Sequence, residues 1–182
     1  MKTQIFISGL TFLLFSIPSH AAGSYTLNPG DVLRISVWNE TDLQQEVMVL
    51  PDGTISFPLV GIINVSAKTP AQVQQQIKSK LSRVIPDPEI NVTVQSVNGN
   101  NIFIIGKVNK PGQMPMIRPT DIMQALSLAG GITAYANGEE IKIIRRTGNK
   151  QQVIPFDYNK LLEGEALNTN ILLKSGDTII VP

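Results

Sequence analysis

Seven carboxylates occupy the positions from which acid–base chemistry would have to come: Asp31, Asp52, Asp87, Glu89, Glu139, Glu140 and Asp177. A glycosidase needs two such groups facing each other across a cleft. Here Asp31, Asp52 and Asp177 each sit in a turn motif, Asp87 and Glu89 alternate with prolines, and Glu139-Glu140 follows Asn137-Gly138 in a loop. Turn or surface duty accounts for each of them, and no pair has the look of a matched acid and base. The chain has no cysteine, which removes disulfides, thiolate chemistry, haem attachment and zinc-thiolate sites together. Its one histidine, His20, lies in a segment expected to be cleaved, so no Ser-His-Asp triad, Cys-His pair or imidazole metal site is left. The enzyme classes still open would use paired carboxylates, a lysine base or an all-oxygen metal site. The expectation is a protein that is not an enzyme, with no catalytic, metal-binding or cofactor-binding residues.

The second set of reactive side chains is cationic. Lys142, Arg145, Arg146 and Lys150 form the only basic cluster. On a strand, Lys142 and Arg146 share a parity while Arg145 points the other way, so the cluster is not one continuous face. It reads either as a strand edge guarded by charge or as a contact for an anionic polymer or acidic neighbour. Beyond the N-terminal segment the aromatic residues are Tyr25, Trp38, Phe57, Phe103, Tyr135, Phe156 and Tyr158. That is few for a platform of rings that would hold a sugar tightly. Trp38 is expected to fill a core or an interface.

The 182 residues are 42% hydrophobic and 16% charged, with a formal net charge of +1. The apolar content is too high for a disordered chain. The charge balance argues against a nucleic-acid binder, which needs a concentrated basic face. Lys2, the apolar run Ile5–Ile17, Pro18 and the small residues of Ser19-His20-Ala21-Ala22 have the three parts of a secretory signal. The run is too short and too interrupted for a membrane anchor. Residues 1–21 are therefore read as a signal peptide and the product as an exported soluble protein, with no cysteine at the cleavage site to lipidate.

The remainder is expected to form two small domains, 22–98 and 99–182, divided at Asn98-Gly99-Asn100-Asn101. The net charge is −2 in the first and +2 in the second. A hairpin inside one domain is the alternative reading of Asn98-Gly99. In the first half, 31–38, 47–50, 54–57, 62–65 and the alternating run Ile90, Val92, Val94 read as strands, with a Pro51-Asp52-Gly53 turn. Thr69, Pro70 and Gln72 announce a helix with a capping box, carrying the apolar stripe Val73, Ile77, Leu81, Val84. In the second half, 102–108, 140–146, 151–155 and 177–181 read as strands, and Lys110-Pro111-Gly112-Gln113 as a type II turn. Thr120 is expected to cap a short helix closed by Gly130-Gly131, and 157–162 to form another ended by Gly164. The pattern is α+β, two small mixed sheets each with at least one helix. Pro29-Gly30-Asp31 is echoed by Ser175-Gly176-Asp177, two tight turns that each deliver an aspartate to the start of an apolar strand. Turn chemistry is the favoured reading of both.

The order and spacing of several short motifs then carry a resemblance over nearly all of the chain after residue 22. Tyr25-x-Leu27-x-Pro29-Gly30-Asp31-Val32-Leu33-x-Ile35-x-Val37-Trp38, Val49-x-Pro51-Asp52-Gly53-x-Ile55, Pro58-Leu59-Val60-Gly61 and the helix from Thr69 resemble the polysaccharide export domain. Gly106-Lys107-Val108-x-Lys110-Pro111-Gly112, Ala129-Gly130-Gly131-Ile132-Thr133 and Ser175-Gly176-Asp177 through Pro182 are similar to a soluble-ligand-binding β-grasp domain. The resemblance is to outer-membrane polysaccharide export proteins, in a short form. It implies a homo-oligomeric ring that passes a capsular or extracellular polysaccharide outwards in the periplasm from an inner-membrane co-polymerase, without bond chemistry. The turn residues Pro29, Gly30, Asp31, Asp52, Gly53, Pro111, Gly112, Gly130, Gly131, Gly176 and Asp177 are then structural. Larger members carry a lipidated cysteine and a C-terminal amphipathic helix, which this sequence lacks. The expectation is an adaptor associated with the outer membrane through a separate β-barrel. The alternative is a monomeric periplasmic ligand-binding protein.

Overall fold

The computed structural model describes residues 24–148 and 150–182, and the expected signal peptide lies outside them. The strongest local signal is realised as read. Helix α1 spans Pro70–Leu81. The Thr69 hydroxyl accepts the Gln72 N–H at 3.2 Å, and the Gln72 side chain accepts the Thr69 N–H at 2.9 Å. Val73, Ile77 and Leu81 are buried on one side. Val84 lies past the last turn and is 59% exposed, so the stripe stops one residue earlier than its periodicity suggests. Thr69→Ala is expected to lower stability by about 1 kcal/mol, read as a shift of the urea midpoint at unchanged slope.

Around α1 the first unit arranges β1 (Val32–Val37), β2 (Glu40–Met48) and β5 (Ile90–Ser96) as an antiparallel sheet in the order β2-β1-β5. β3 (Thr54–Phe57) and β4 (Gly61–Asn64) form a separate two-stranded ribbon. Strand β2 begins seven residues before the Val47–Leu50 run that reads as a strand in the sequence. Its first half, Glu40 to Gln45, is a polar edge whose sole deeply buried member is Leu43. Pairing with β1 makes it a strand, since Val37 lies opposite Glu40 and Arg34 opposite Glu46.

The second unit is a five-stranded mixed sheet in the order β7-β6-β10-β8-β9. Its strands are β6 (Asn101–Gly106), β7 (Gly112–Pro115), β8 (Ile141–Thr147), β9 (Lys150–Phe156) and β10 (Thr178–Val181). The last strand runs parallel to β6, which places it in the middle of the sheet. Helices α2 (Ile122–Leu128) and α3 (Tyr158–Leu162) complete the unit. Two expectations need correction. Gly112 (φ +140°) opens β7 and does not close a hydrogen-bonded type II turn. The cap of α2 is Asp121, whose carboxylate accepts the Gln124 N–H at 2.8 Å. Thr120 is buried instead, its hydroxyl donating to the Arg118 carbonyl.

The buried side chains fall into two separate clusters, one from Leu27 to Val92 and the other from Ile102 to Val181. β5 and β6 belong to different sheets, so Asn98-Gly99 is a connection between units and not a hairpin turn.

Candidate functional site at the junction of the two units

Asp31 is wholly buried at the foot of β1. Its own turn closes on it: the Asn28 N–H donates to Oδ2 at 2.8 Å, and the Asp31 N–H donates to the Asn28 carbonyl at 3.1 Å. The Tyr25 hydroxyl donates to the same oxygen at 2.6 Å. Burial and then this bond to Asp31 hold the Tyr25 phenol well above its ordinary ionisation range. The remaining oxygen, Oδ1, accepts the N–H of Gly99 at 3.0 Å, reaching across 68 residues of chain.

Asp177, 1% exposed, repeats the local geometry. The Lys174 N–H donates to Oδ2 at 2.8 Å, and the Asp177 N–H donates to the Lys174 carbonyl at 3.0 Å. In place of a tyrosine it takes Arg145. The guanidinium donates through Nε at 3.0 Å and through its terminal nitrogen at 2.6 Å, and also to the Leu172 carbonyl at 3.0 Å. The rest of this second turn also grips the linker. Ser175 Oγ donates to the Gly99 carbonyl at 2.8 Å, and the Gly176 N–H donates to the Asn101 carbonyl at 2.7 Å.

Gly99 is thus held from both sides, its N–H by the first unit and its carbonyl by the second. The approach is too close for a side chain. A methyl group on Gly99 would overlap the Pro29 carbonyl oxygen and lie 2.9 Å from Asn28 Cβ. The echo between the two aspartate turns is therefore turn chemistry, as the sequence suggests, with a further use that motif reading misses: together they clamp the link between the units. Beside the clamp is an open cleft of about 780 Å³, lined by Val94, Gln95, Asn98, Asn101, Gln113 and Ile117 among others, with no charged side chain in its walls.

Residues 19–95 match the family described as polysaccharide biosynthesis/export protein, and residues 100–181 match the SLBB domain. The gap between the two matches is the clamped linker. This chain belongs to the polysaccharide export family. Among its relatives is the EPS I polysaccharide export outer membrane protein EpsA of Ralstonia nicotianae, 28% identical over 88% of this chain and 48% of that protein. The capsule polysaccharide export outer membrane protein CtrA of Neisseria meningitidis is 30% identical over 87% of this chain and 44% of its own length. The polysialic acid transport protein KpsD of Escherichia coli is 27% identical, matched over 86% of this chain and 28% of itself. The chain spans less than half the length of each of these relatives.

In this family member the other carboxylates are dispersed. Asp52 accepts the N–H and hydroxyl of Thr54 at 3.0 and 2.7 Å, which holds its carboxyl below the usual range. Asp87 and Glu89 both face Lys78, at 3.8 and 3.0 Å. Glu139 and Glu140 lie in a 3-10 turn, Gly138–Glu140. Among the described residues no group of three or more acidic or histidine side chains is placed to hold a metal ion. Gly30, Gly53, Gly130, Gly131 and Gly176 all have positive φ, as their turns require.

The basic cluster is split. Lys142 and Arg146 project from one face of β8, and Arg145 is committed to Asp177 on the other. Lys150 lies opposite Thr147, away from the Lys142 face. β8 is flanked by β10 and β9, so its charges do not guard an edge. Trp38 fills no core: it sits at the tip between β1 and β2 and is 76% exposed.

Proposed function

We propose that this chain is a component of a polysaccharide export system, exported and associated with the outer membrane through partners. It acts as an oligomeric conduit or adaptor in the periplasm and performs no bond chemistry. The observation that carries this reading is the tandem of the two family matches, joined through a linker that both units grip. The buried carboxylates support it as well, because Asp31 and Asp177 are occupied by turn amides, the linker and Arg145. Residues 1–21 act as the export signal, and the unit boundary falls in the linker. The partners are further copies of the chain, an inner-membrane co-polymerase, an outer-membrane β-barrel and the polysaccharide itself. Of the four basic residues, Lys142, Arg146 and Lys150 are the ones left for polymer or partner contact. Deleting the gene is expected to abolish surface polysaccharide, and restoring it to recover the polymer. Normal surface polysaccharide in a deletion strain with no substitute paralogue would overturn the reading.

A further inference from the structure

Both α2 and α3 pack on one side of the five-stranded sheet, where Ile102, Ile104, Ile141, Ile143 and Ile179 are fully buried. Among the described residues no helix packs on the other side. Alternation puts Phe103, Ile105, Ile144, Ile180 and Val153 there, and the register aligns Phe103, Thr178, Ile144 and Val153 in one row across four strands. Phe103 is 41%, Ile105 48% and Val153 59% exposed. An apolar sheet face of this kind marks an interaction surface. Lys142 and Arg146 flank Ile144 on the same face.

The first unit carries the complement. Trp38 stands exposed at the hairpin tip, and Glu40 and Asp42 follow it on the face of β2 opposite the buried Leu43. Among the described residues, none of Glu40, Asp42, Lys142 and Arg146 makes an ion pair. The chain thus displays an aromatic anchor beside unpaired acid, and an apolar sheet beside unpaired base.

We propose that the Trp38 hairpin of one copy docks on the outer sheet face of the next. The proposal rests on the oligomer reading above and names the two surfaces that make it. Two sheet faces meeting each other would bring Lys142 and Arg146 against their own copies, and two hairpins meeting would do the same with Glu40 and Asp42. Like-charge juxtaposition opposes both symmetric pairings, and opposite charges favour the head-to-tail one. Tryptophan is among the residue types that most often anchor an interface. A head-to-tail contact repeated with a fixed rotation closes into a ring or runs on as a filament. The clamp on Gly99 is what fixes that rotation, because it ties the hairpin-bearing unit to the sheet-bearing one.

The absence of native cysteine permits a direct test. Full-length chain with Asn39→Cys, which keeps Trp38 and places the thiol beside it at the exposed hairpin tip, and full-length chain with Val153→Cys are mixed under mild oxidation. A disulfide between the two variants is expected in the mixture, well above the self-crosslinking of either alone. In sedimentation equilibrium, Glu40→Lys with Asp42→Lys is expected to weaken assembly at least ~10-fold, and Lys142→Glu with Arg146→Glu likewise. Combining the four changes is expected to recover most of it. Wild-type assembly with no mixed disulfide, or reversal variants that assemble as the wild type does, would overturn these surfaces while leaving the export role standing. A chain monomeric at every concentration would overturn them too, and the deletion phenotype would still report on export separately.

Discussion

Gly99→Ala is expected to loosen the two units from each other while leaving each one folded. The added methyl group meets the Pro29 carbonyl oxygen and Asn28, which are backbone and near-backbone atoms with little room to move. The linker must shift away, and the shift breaks the bond from the Gly99 N–H to Asp31 on one side and the bond from Ser175 to the Gly99 carbonyl on the other. Overpacking of this kind costs about 1–3 kcal/mol. Asp31 then loses a partner while buried, a further cost of about 1–3 kcal/mol. Because the contacts lie between the cores, the loss is expected to fall on their coupling. Limited proteolysis should cut between residues 96 and 101 much faster than in the wild type. Urea unfolding should separate into two transitions. Cleavage at the wild-type rate with a single unchanged transition would show that the linker is not gripped.

Asp177→Ala is expected to be the most destabilising single change in the second unit. Arg145 and Asp177 are 14% and 1% exposed at their side chains, so the substitution leaves a mostly buried guanidinium without its counter-charge. Breaking a buried pair by removing one partner costs about 3–5 kcal/mol. The Lys174 N–H also loses its acceptor, which opens the turn that carries Ser175 and Gly176 to the linker. Pairing the change with Arg145→Met is expected to recover a substantial part, since the unpaired charge is then gone. The readout is the urea midpoint of the wild type, both single variants and the double. A loss below about 1 kcal/mol for Asp177→Ala would place the pair among exposed ion pairs of little consequence. The same variant is expected to impair surface polysaccharide, because the clamp weakens with it.

Much of this architecture is legible in local sequence. The capping box at Thr69 and the alternation of Ile90, Val92 and Val94 are short-range signals, and each produces the element it announces, whereas Pro111-Gly112 announces a type II turn and Gly112 opens a strand instead. Where local signals compete, the result follows packing. Thr120 and Asp121 are both competent caps, and the carboxylate takes the role because Thr120 is drawn into the core. The start of β2 has no apolar alternation to reveal it, and it is a strand because β1 offers it a hydrogen-bonding partner. Val84 has the spacing of the α1 stripe, but the helix has ended before reaching it.

The candidate site divides along the same line. From sequence alone come the two aspartate turns, the absence of cysteine, the split of charge between the halves and the family to which they belong. Each depends on residue identity or on neighbours a few positions apart. The tertiary structure decided that both turns converge on Gly99, that Arg145 leaves its basic neighbours for Asp177, and that Trp38 faces solvent. Those outcomes depend on contacts between residues 32 to 76 positions apart, or on which surfaces the packed core leaves uncovered. Spacing along a chain carries no record of such meetings, because they exist only once the two cores have formed and brought their turns together.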